Sequence, residues 1–354
     1  MMLKQADDYG GFQMKRMVIL LLTLVVPLAL HGIGRRAEAQ QVHELKAGPE
    51  TVAWGYYVSN KQPALRIESG DIVEVTTMLT SSPRRLEGAG IPPDEVQQEL
   101  RDIYEQVTDR GPGGHILTGP IYVEGAEAGD VLEVRILSID LNLPYGYNGC
   151  SGFLRENCGE QRMRIFRFDT ERMIAPFNEE IEIPLRPFFG SMGVAPPPAS
   201  GRISSNPPWI HAGNMDNKEL VAGTVLYIPV HAKGALFQVG DGHAAQGNGE
   251  VNQTAIETSL RGRLQFFVHK DRSLEWPRAE TPTHFIVMGM DRDLTKATQI
   301  AVQEMINFLM DEKGLDQGEA YSLSSIAADL SITELVDGNV GVHMMIAKSL
   351  FTRH

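Results

Sequence analysis

The chain is poor in cysteine, in basic residues and in long apolar runs, and each shortage excludes something. Only Cys150 and Cys158 occur in 354 residues, and they are not in Cys-x-x-Cys spacing, which leaves no cysteine-rich metal motif. Lysine and arginine number 32 against 45 aspartate and glutamate, a formal charge of −13. Nucleic-acid binding needs clustered positive charge to neutralise phosphates, so this balance excludes nucleic acid as the main partner. A single long apolar run exists, Met17 to Leu30, and its 14 residues fall short of the roughly 20 that a spanning helix needs. No Gly-x-Ser-x-Gly elbow is present for a serine nucleophile.

That apolar run follows Lys15 and Arg16 and precedes Ala37-Glu38-Ala39, a small-x-small cleavage pattern. Residues 1–39 are therefore expected to be a removed signal peptide, with Met14 or Met17 as a possible true start and the mature chain beginning near Gln40. The expected location is periplasmic or secreted, with no membrane attachment after cleavage. An uncleaved anchor is the alternative that Arg35 and Arg36 keep open. Cleavage would remove five basic and three acidic residues, taking the charge from −13 to −15.

In an exported protein a bridge between Cys150 and Cys158 is expected, because disulfides persist there. It would stabilise the chain by about 2–3 kcal/mol on the chain-entropy estimate. Two free thiols or half a metal site are the alternatives.

The 35 glycines and 20 prolines are scattered through turns, which points to many short strands. Ile67-Glu68-Ser69-Gly70-Asp71-Ile72-Val73-Glu74-Val75 is echoed by Ala126-Glu127-Ala128-Gly129-Asp130-Val131-Leu132-Glu133-Val134, and more faintly by residues 221–230. Each copy sets a glycine turn before a β-branched stretch, and Leu132, Val134 and Ile136 alternate with charged residues as in a strand with one buried face. A short helix is predicted from Asp94 to Tyr104. Residues 190–216, with two proline runs, read as an irregular loop near a site. A longer helix is predicted from Thr295 to Lys313, closed by Gly314. A second would start at Ser324 or Ser325 and end near Leu330, or run on through Thr333 to Val336. The fold class is mainly β: a sandwich or barrel over 40–190, and site-bearing strands with a smaller α+β part over 191–354, forming one unit with the first.

The densest polar cluster is Gly240-Asp241-Gly242-His243-Ala244-Ala245-Gln246-Gly247-Asn248-Gly249-Glu250. Asp241 and His243 are two apart, so on an extended segment both side chains leave one face, about 7 Å apart, and can converge on one cation. Asn214-Met215-Asp216 has the same spacing, and Gly113-Gly114-His115 adds an imidazole. Taken singly, Asn214 beside Gly213 reads equally well as a turn, and a lone Gly-Gly-His is more often a turn than a ligand.

Together these residues resemble the acetamidase/formamidase family. The 240–250 segment is similar to that family's signature, whose usual form has Asp where this chain has Asn248. The likeness extends to Gly213-Asn214-Met215-Asp216, to Ile228-Pro229-Val230 with Gly234-Ala235-Leu236, to Gly111-Pro112 with His115, and to Val336-Asp337-Gly338 through Val342-His343. The resemblance implies hydrolysis of formamide, acetamide or similar small amides, a jelly-roll-like β-sandwich and a homo-oligomer. The leader and the 150–158 insert depart from the family pattern.

With both cysteines in an expected bridge, amide cleavage falls to a metal-activated water. The expected metal ligands are Asp216, Asp241 and His243, and the expected proton shuttle is Glu250. His115, Asn214 and Gln246 would position the substrate. Zinc is the first choice of divalent metal, with calcium or manganese as alternatives for a carboxylate-rich site. Two rivals stand beside this reading: an exported small-ligand or carbohydrate-binding β-sandwich holding structural calcium, and a hydrolase of cyclic or modified amides.

Overall fold

Strands dominate because β-branched and aromatic residues alternate with polar ones between glycine turns, and the three glycine-led segments all enter one sheet. A computed structural model describes residues 40–160 and 162–351; the predicted leader lies outside the described residues. Gly70, Gly129 and Gly223 all have positive φ and turn the chain into the strands Ile72–Thr76, Val131–Leu141 and Val225–Pro229. These join a nine-stranded sheet with Leu260–His269 between the first two. The sheet continues through Arg278–Glu280 and His284–Asp291 to Val340–Ala347 and the edge strand Ala328–Glu334.

A second nine-stranded sheet runs Ala212–Asn214, Phe188–Gly193, Phe237–His243, Glu257–Thr258, Tyr145–Gly149 and Met163–Arg167, with Ile116–Val123 also paired to Phe237–His243. One apolar core joins the two sheets: Val73, Val134, Leu264 and Phe266 from the first meet Ile121, Met192, Phe237 and Val239 from the second, all fully buried. The architecture is a mainly β sandwich. Both sheets draw strands from either side of residue 190, so the proposed 40–190 and 191–354 parts share this core.

The helix Leu294–Lys313 starts on the Asp293 side chain, which accepts from the Lys296 amide, and ends on left-handed Gly314. It packs closely over the sheet because Gly289 has no side chain: a Cβ there would come within 2.3 Å of the Ala297 carbonyl oxygen. Among the described residues no helix is long and apolar enough to cross a membrane.

Several sequence-based boundaries change. The helix expected at 94–104 spans Gln98–Gln106, and a short Ser82-capped helix, Pro83–Gly88, precedes it. The second C-terminal helix spans Gln317–Ala327, not 324 onward; a capping box between Asp316 and Glu319 starts it, and residues from Ala328 to Glu334 are a strand. Pairing with Val340–Ala347 satisfies that strand's backbone, which decides strand over helix. The stretch 190–216 is only partly a loop, since both its ends are buried strands beside the polar cluster.

Candidate active site

The site grows from cross-strand register. His243 sits opposite Glu257 on one side and Phe188 on the other, while Ser191 sits opposite both Gly240 and Asn214. Directly opposed residues hold their side chains close, so this register gathers residues far apart in the chain. Gly190 occupies the centre of the cluster: a Cβ there would lie 2.4 Å from Asp216 Oδ1, 2.7 Å from Asp241 Oδ2 and 2.8 Å from His243 Cε1. Three of the site's carboxylate residues, Asp216, Asp241 and Glu250, have φ of 47°, 55° and 41°, left-handed values that a side chain disfavours. Such strain costs on the order of 1–3 kcal/mol per residue and clusters where function needs an unusual direction.

His243 is fully buried and its two nitrogens face different groups. Gln246 Nε2 donates to the Asp216 carbonyl at 2.7 Å, so its Oε1 must accept, and His243 Nδ1 at 2.9 Å must carry the hydrogen. In the neutral ring Nε2 is then a bare lone pair. It lies 3.3 Å from Asp241 Oδ2 and 3.3 Å from Glu257 Oε1, with no hydrogen-bond partner. A lone pair facing two buried carboxylates is repulsive unless a positive charge lies among them, either a proton on Nε2 or a metal ion. Burial would lower the His243 pKa, but Glu257 and Asp241 push it well above its ordinary value. Burial likewise opposes Asp241, and His115 and His243 nevertheless hold its carboxyl below the usual range.

Asp241, His243 and Glu257 converge closely enough to share one ion. Tetrahedral zinc with bonds of about 2.0–2.1 Å separates its ligand atoms by roughly 3.3 Å, which matches both contacts to Nε2. His115 Nε2 lies 3.6 Å from Asp241 Oδ2, and its Nδ1 is 3.0 Å from Ser205 Oγ. The His115 loop is seated by glycines: a Cβ on Gly55 would meet the Gly113 carbonyl oxygen at 2.4 Å.

A second group, Asp216, His243 and Glu250, also converges closely enough to share one ion. Here Nδ1 is already bonded to Gln246, and Asp216 Oδ1 stands 3.8 Å from it without a partner. Burial raises Glu250 well above its ordinary value, with Asp337, Glu257 and Asp241 adding to the rise and His243 opposing it. Burial raises Asp216 as well, helped by Glu250, Asp337 and Asp241. The C-terminal strands reach this side: Gly249 donates to the Thr333 carbonyl at 2.8 Å, and Glu334 Oε2 accepts from Val336 and Asp337 amides. Asp337 thereby lies against Asp216.

All seven residues assigned from sequence lie in or beside this cluster, but their places differ from expectation. Asp216 faces the opposite ring nitrogen from Asp241, so the set around Nε2 is completed by Glu257. Asn214 and Gln246 are engaged within the protein instead of free for substrate. Asn214 accepts from Ser191 Oγ at 2.6 Å and donates to Asp216 Oδ2 at 2.7 Å, while Gln246 fixes the His243 tautomer. Sequence reasoning missed Glu257, Asp337 and Gly190. The clue for Glu257 was a lone carboxylate in the otherwise strand-like run Ala255-Ile256-Glu257-Thr258. Cys150 and Cys158 are joined, Sγ to Sγ, closing a loop whose Phe153 amide donates to the Val251 carbonyl beside Glu250.

Residues 95–201 and 199–353 match the sequence model of the Acetamidase/Formamidase family. The formamidase of Methylophilus methylotrophus is 28% identical over 191 residues, 39% of this chain and 47% of that protein. The chain spans about half the length of the curated relatives it matches. The crystal structure of a predicted acetamidase/formamidase from Thermoanaerobacter tengcongensis superposes with TM-score 0.75 at 27% identity, covering 88% of this chain and 98% of that one. The acetamidase structure from Bacillus halodurans gives 0.73 at 29% identity, covering 87% and 98%.

Proposed function

The chain belongs to the acetamidase/formamidase family, and from that premise we propose that it hydrolyses small linear carboxamides to carboxylate and ammonia at a metal-activated water. The observation that carries the metal is the bare Nε2 of His243 between Asp241 and Glu257, a buried imidazole and carboxylate set with ligand spacing. Zinc fits best because a nitrogen donor stands in the centre of the set. Calcium takes six to eight oxygens and manganese prefers oxygen-rich sites. A divalent ion held there would bring a bound water's pKa to about 7 and polarise the amide carbonyl.

The chain's own residues supply the rest. Gln246 holds the His243 tautomer that leaves Nε2 free, and Gly190 leaves room for the carboxylates to converge. Burial makes the Glu250 carboxylate a stronger base than a solvated one. It takes a proton as the carbon–oxygen bond forms, and gives it to the departing nitrogen as the carbon–nitrogen bond breaks. His115, with Nδ1 held by Ser205 and Nε2 3.6 Å from Asp241 Oδ2, orients the substrate. Export with loss of residues 1–39 and assembly of identical subunits are part of the same proposal.

The test is ammonia release from formamide and acetamide by purified protein, with metal content measured before and after chelation and zinc reconstitution. Turnover that follows zinc supports the reading. Absence of turnover after full reconstitution, with calcium bound instead, favours the small-ligand-binding alternative. Turnover confined to cyclic or modified amides favours the other rival.

A further inference from the structure

A cavity of about 580 Å³ opens beside Glu250, walled by Phe166, Phe177, Ile183, Pro184, Val251 and Ile256, with Gln246 and Glu250 also in its lining. Acetamide has four non-hydrogen atoms and fills about 120 Å³ if each takes the roughly 30 Å³ of a water molecule. The cavity is therefore several times larger than a two-carbon amide uses.

Its walls are also the wrong chemistry for a small polar ligand. Most polar side chains that reach it are already paired, the Gln246 amide bridging His243 and Asp216, the Asn148 amide binding Thr254 and Ala255, and Arg186 pairing with Glu219 at 2.8 Å, while Lys218 and Asn248 also line it. Carbon remains as the main surface on offer, behind one buried carboxylate. The wall is braced from outside by the disulfide-closed loop, whose backbone binds Val251 and Asn252. Phe153 and Val251 carry the apolar character out to the rim, 62% and 59% exposed.

We propose that this cavity is an acyl-binding pocket, and that the preferred substrates are primary amides of medium-chain or aromatic carboxylic acids. The inference rests on the amidase reading and specifies its substrate class. The acyl chain lies against Phe166, Ile183 and Ile256, which directs the amide group to the Glu250 side. There water adds to the carbonyl carbon, the carbon–nitrogen bond breaks, and the proton taken from water by Glu250 leaves on ammonia.

The experiment measures kcat/KM for ammonia release by the zinc-loaded full protein across formamide, acetamide, butanamide, hexanamide and benzamide. Hexanamide or benzamide is expected to exceed acetamide at least tenfold, since each buried methylene adds binding. Ile183→Trp, which fills the cavity, is expected to lower the ratio of hexanamide to acetamide at least tenfold. Hexanoate should inhibit acetamide hydrolysis at a concentration at least tenfold below acetate, a readout that needs no variant. Efficient turnover of acetamide or formamide that falls with acyl length, or a ratio unmoved by Ile183→Trp, overturns the acyl pocket and leaves the amidase reading standing. No turnover of any of the five overturns both.

Discussion

Adding one methyl group at Gly190 is the sharpest test of how this site is built. Its backbone is not in the left-handed region, so Gly190→Ala adds no conformational strain and acts through volume alone. The new Cβ would meet Asp216 Oδ1 at 2.4 Å, Asp241 Oδ2 at 2.7 Å and His243 Cε1 at 2.8 Å. Ordinary contact begins near 3.5 Å, so the three groups must retreat by roughly 0.7–1.1 Å. All three are buried, with no solvent space to retreat into. Overpacking of this kind costs about 1–3 kcal/mol of stability. A misplacement of about 1 Å among reacting groups costs on the order of 10²-fold in rate. The expected variant is folded, melts a few degrees lower, binds zinc weakly and loses at least 10²-fold in kcat/KM for amide hydrolysis. Gly88→Ala is the control, since nothing lies within 4 Å of its added Cβ. Wild-type zinc content and rate in Gly190→Ala would refute the convergence of Asp216, Asp241 and His243 on this point.

Glu257→Gln should lose metal and activity together, whereas Glu250→Gln should keep its metal and lose about 10²–10⁴-fold in turnover; metal analysis with initial rates separates them, and an active Glu250→Gln protein would remove the shuttle role. His343, bonded to Thr333 Oγ1 at 2.8 Å, has its pKa lowered by burial from 6.5 to about 4. The unfolded chain therefore takes up this proton first, so the contribution is complete above about pH 6.5 and is lost as pH falls toward 4. Against His343→Gln, the stability difference measured by urea unfolding should change by up to about 1.4 kcal/mol per pH unit in that window, and a flat difference would contradict it. Thiol titration of unreduced, denatured protein should find no free cysteine. N-terminal sequencing of native exported protein should begin at or near Gln40, and an intact 1–39 segment in that fraction would end the export proposal.

The strand entries were legible because their cause is local. A glycine at positive φ followed by alternating β-branched residues dictates a turn and a half-buried strand wherever it occurs, as at Gly70, Gly129 and Gly223. The long helix was legible for the same reason, its apolar face and Gly314 being read within one segment. The strand Ala328–Glu334 was not, because it lies at a sheet edge with Leu330 and Ile332 exposed, and only its partner strand identifies it.

For the site, the sequence by itself determined which segments hold chemistry: 213–216, 240–250 and His115 are rich in ionisable side chains among glycines, and all come together. Tertiary structure alone decided who faces whom. Glu257 reaches His243 through a cross-strand pairing 14 residues apart, and Asp337 comes from strands that close on Gly249. Gly190 matters for the atoms it lacks. Spacing along a chain records the directions of neighbouring side chains, but which nitrogen of a buried imidazole stays free is set by Gln246 and by the carboxylates that other strands bring against it.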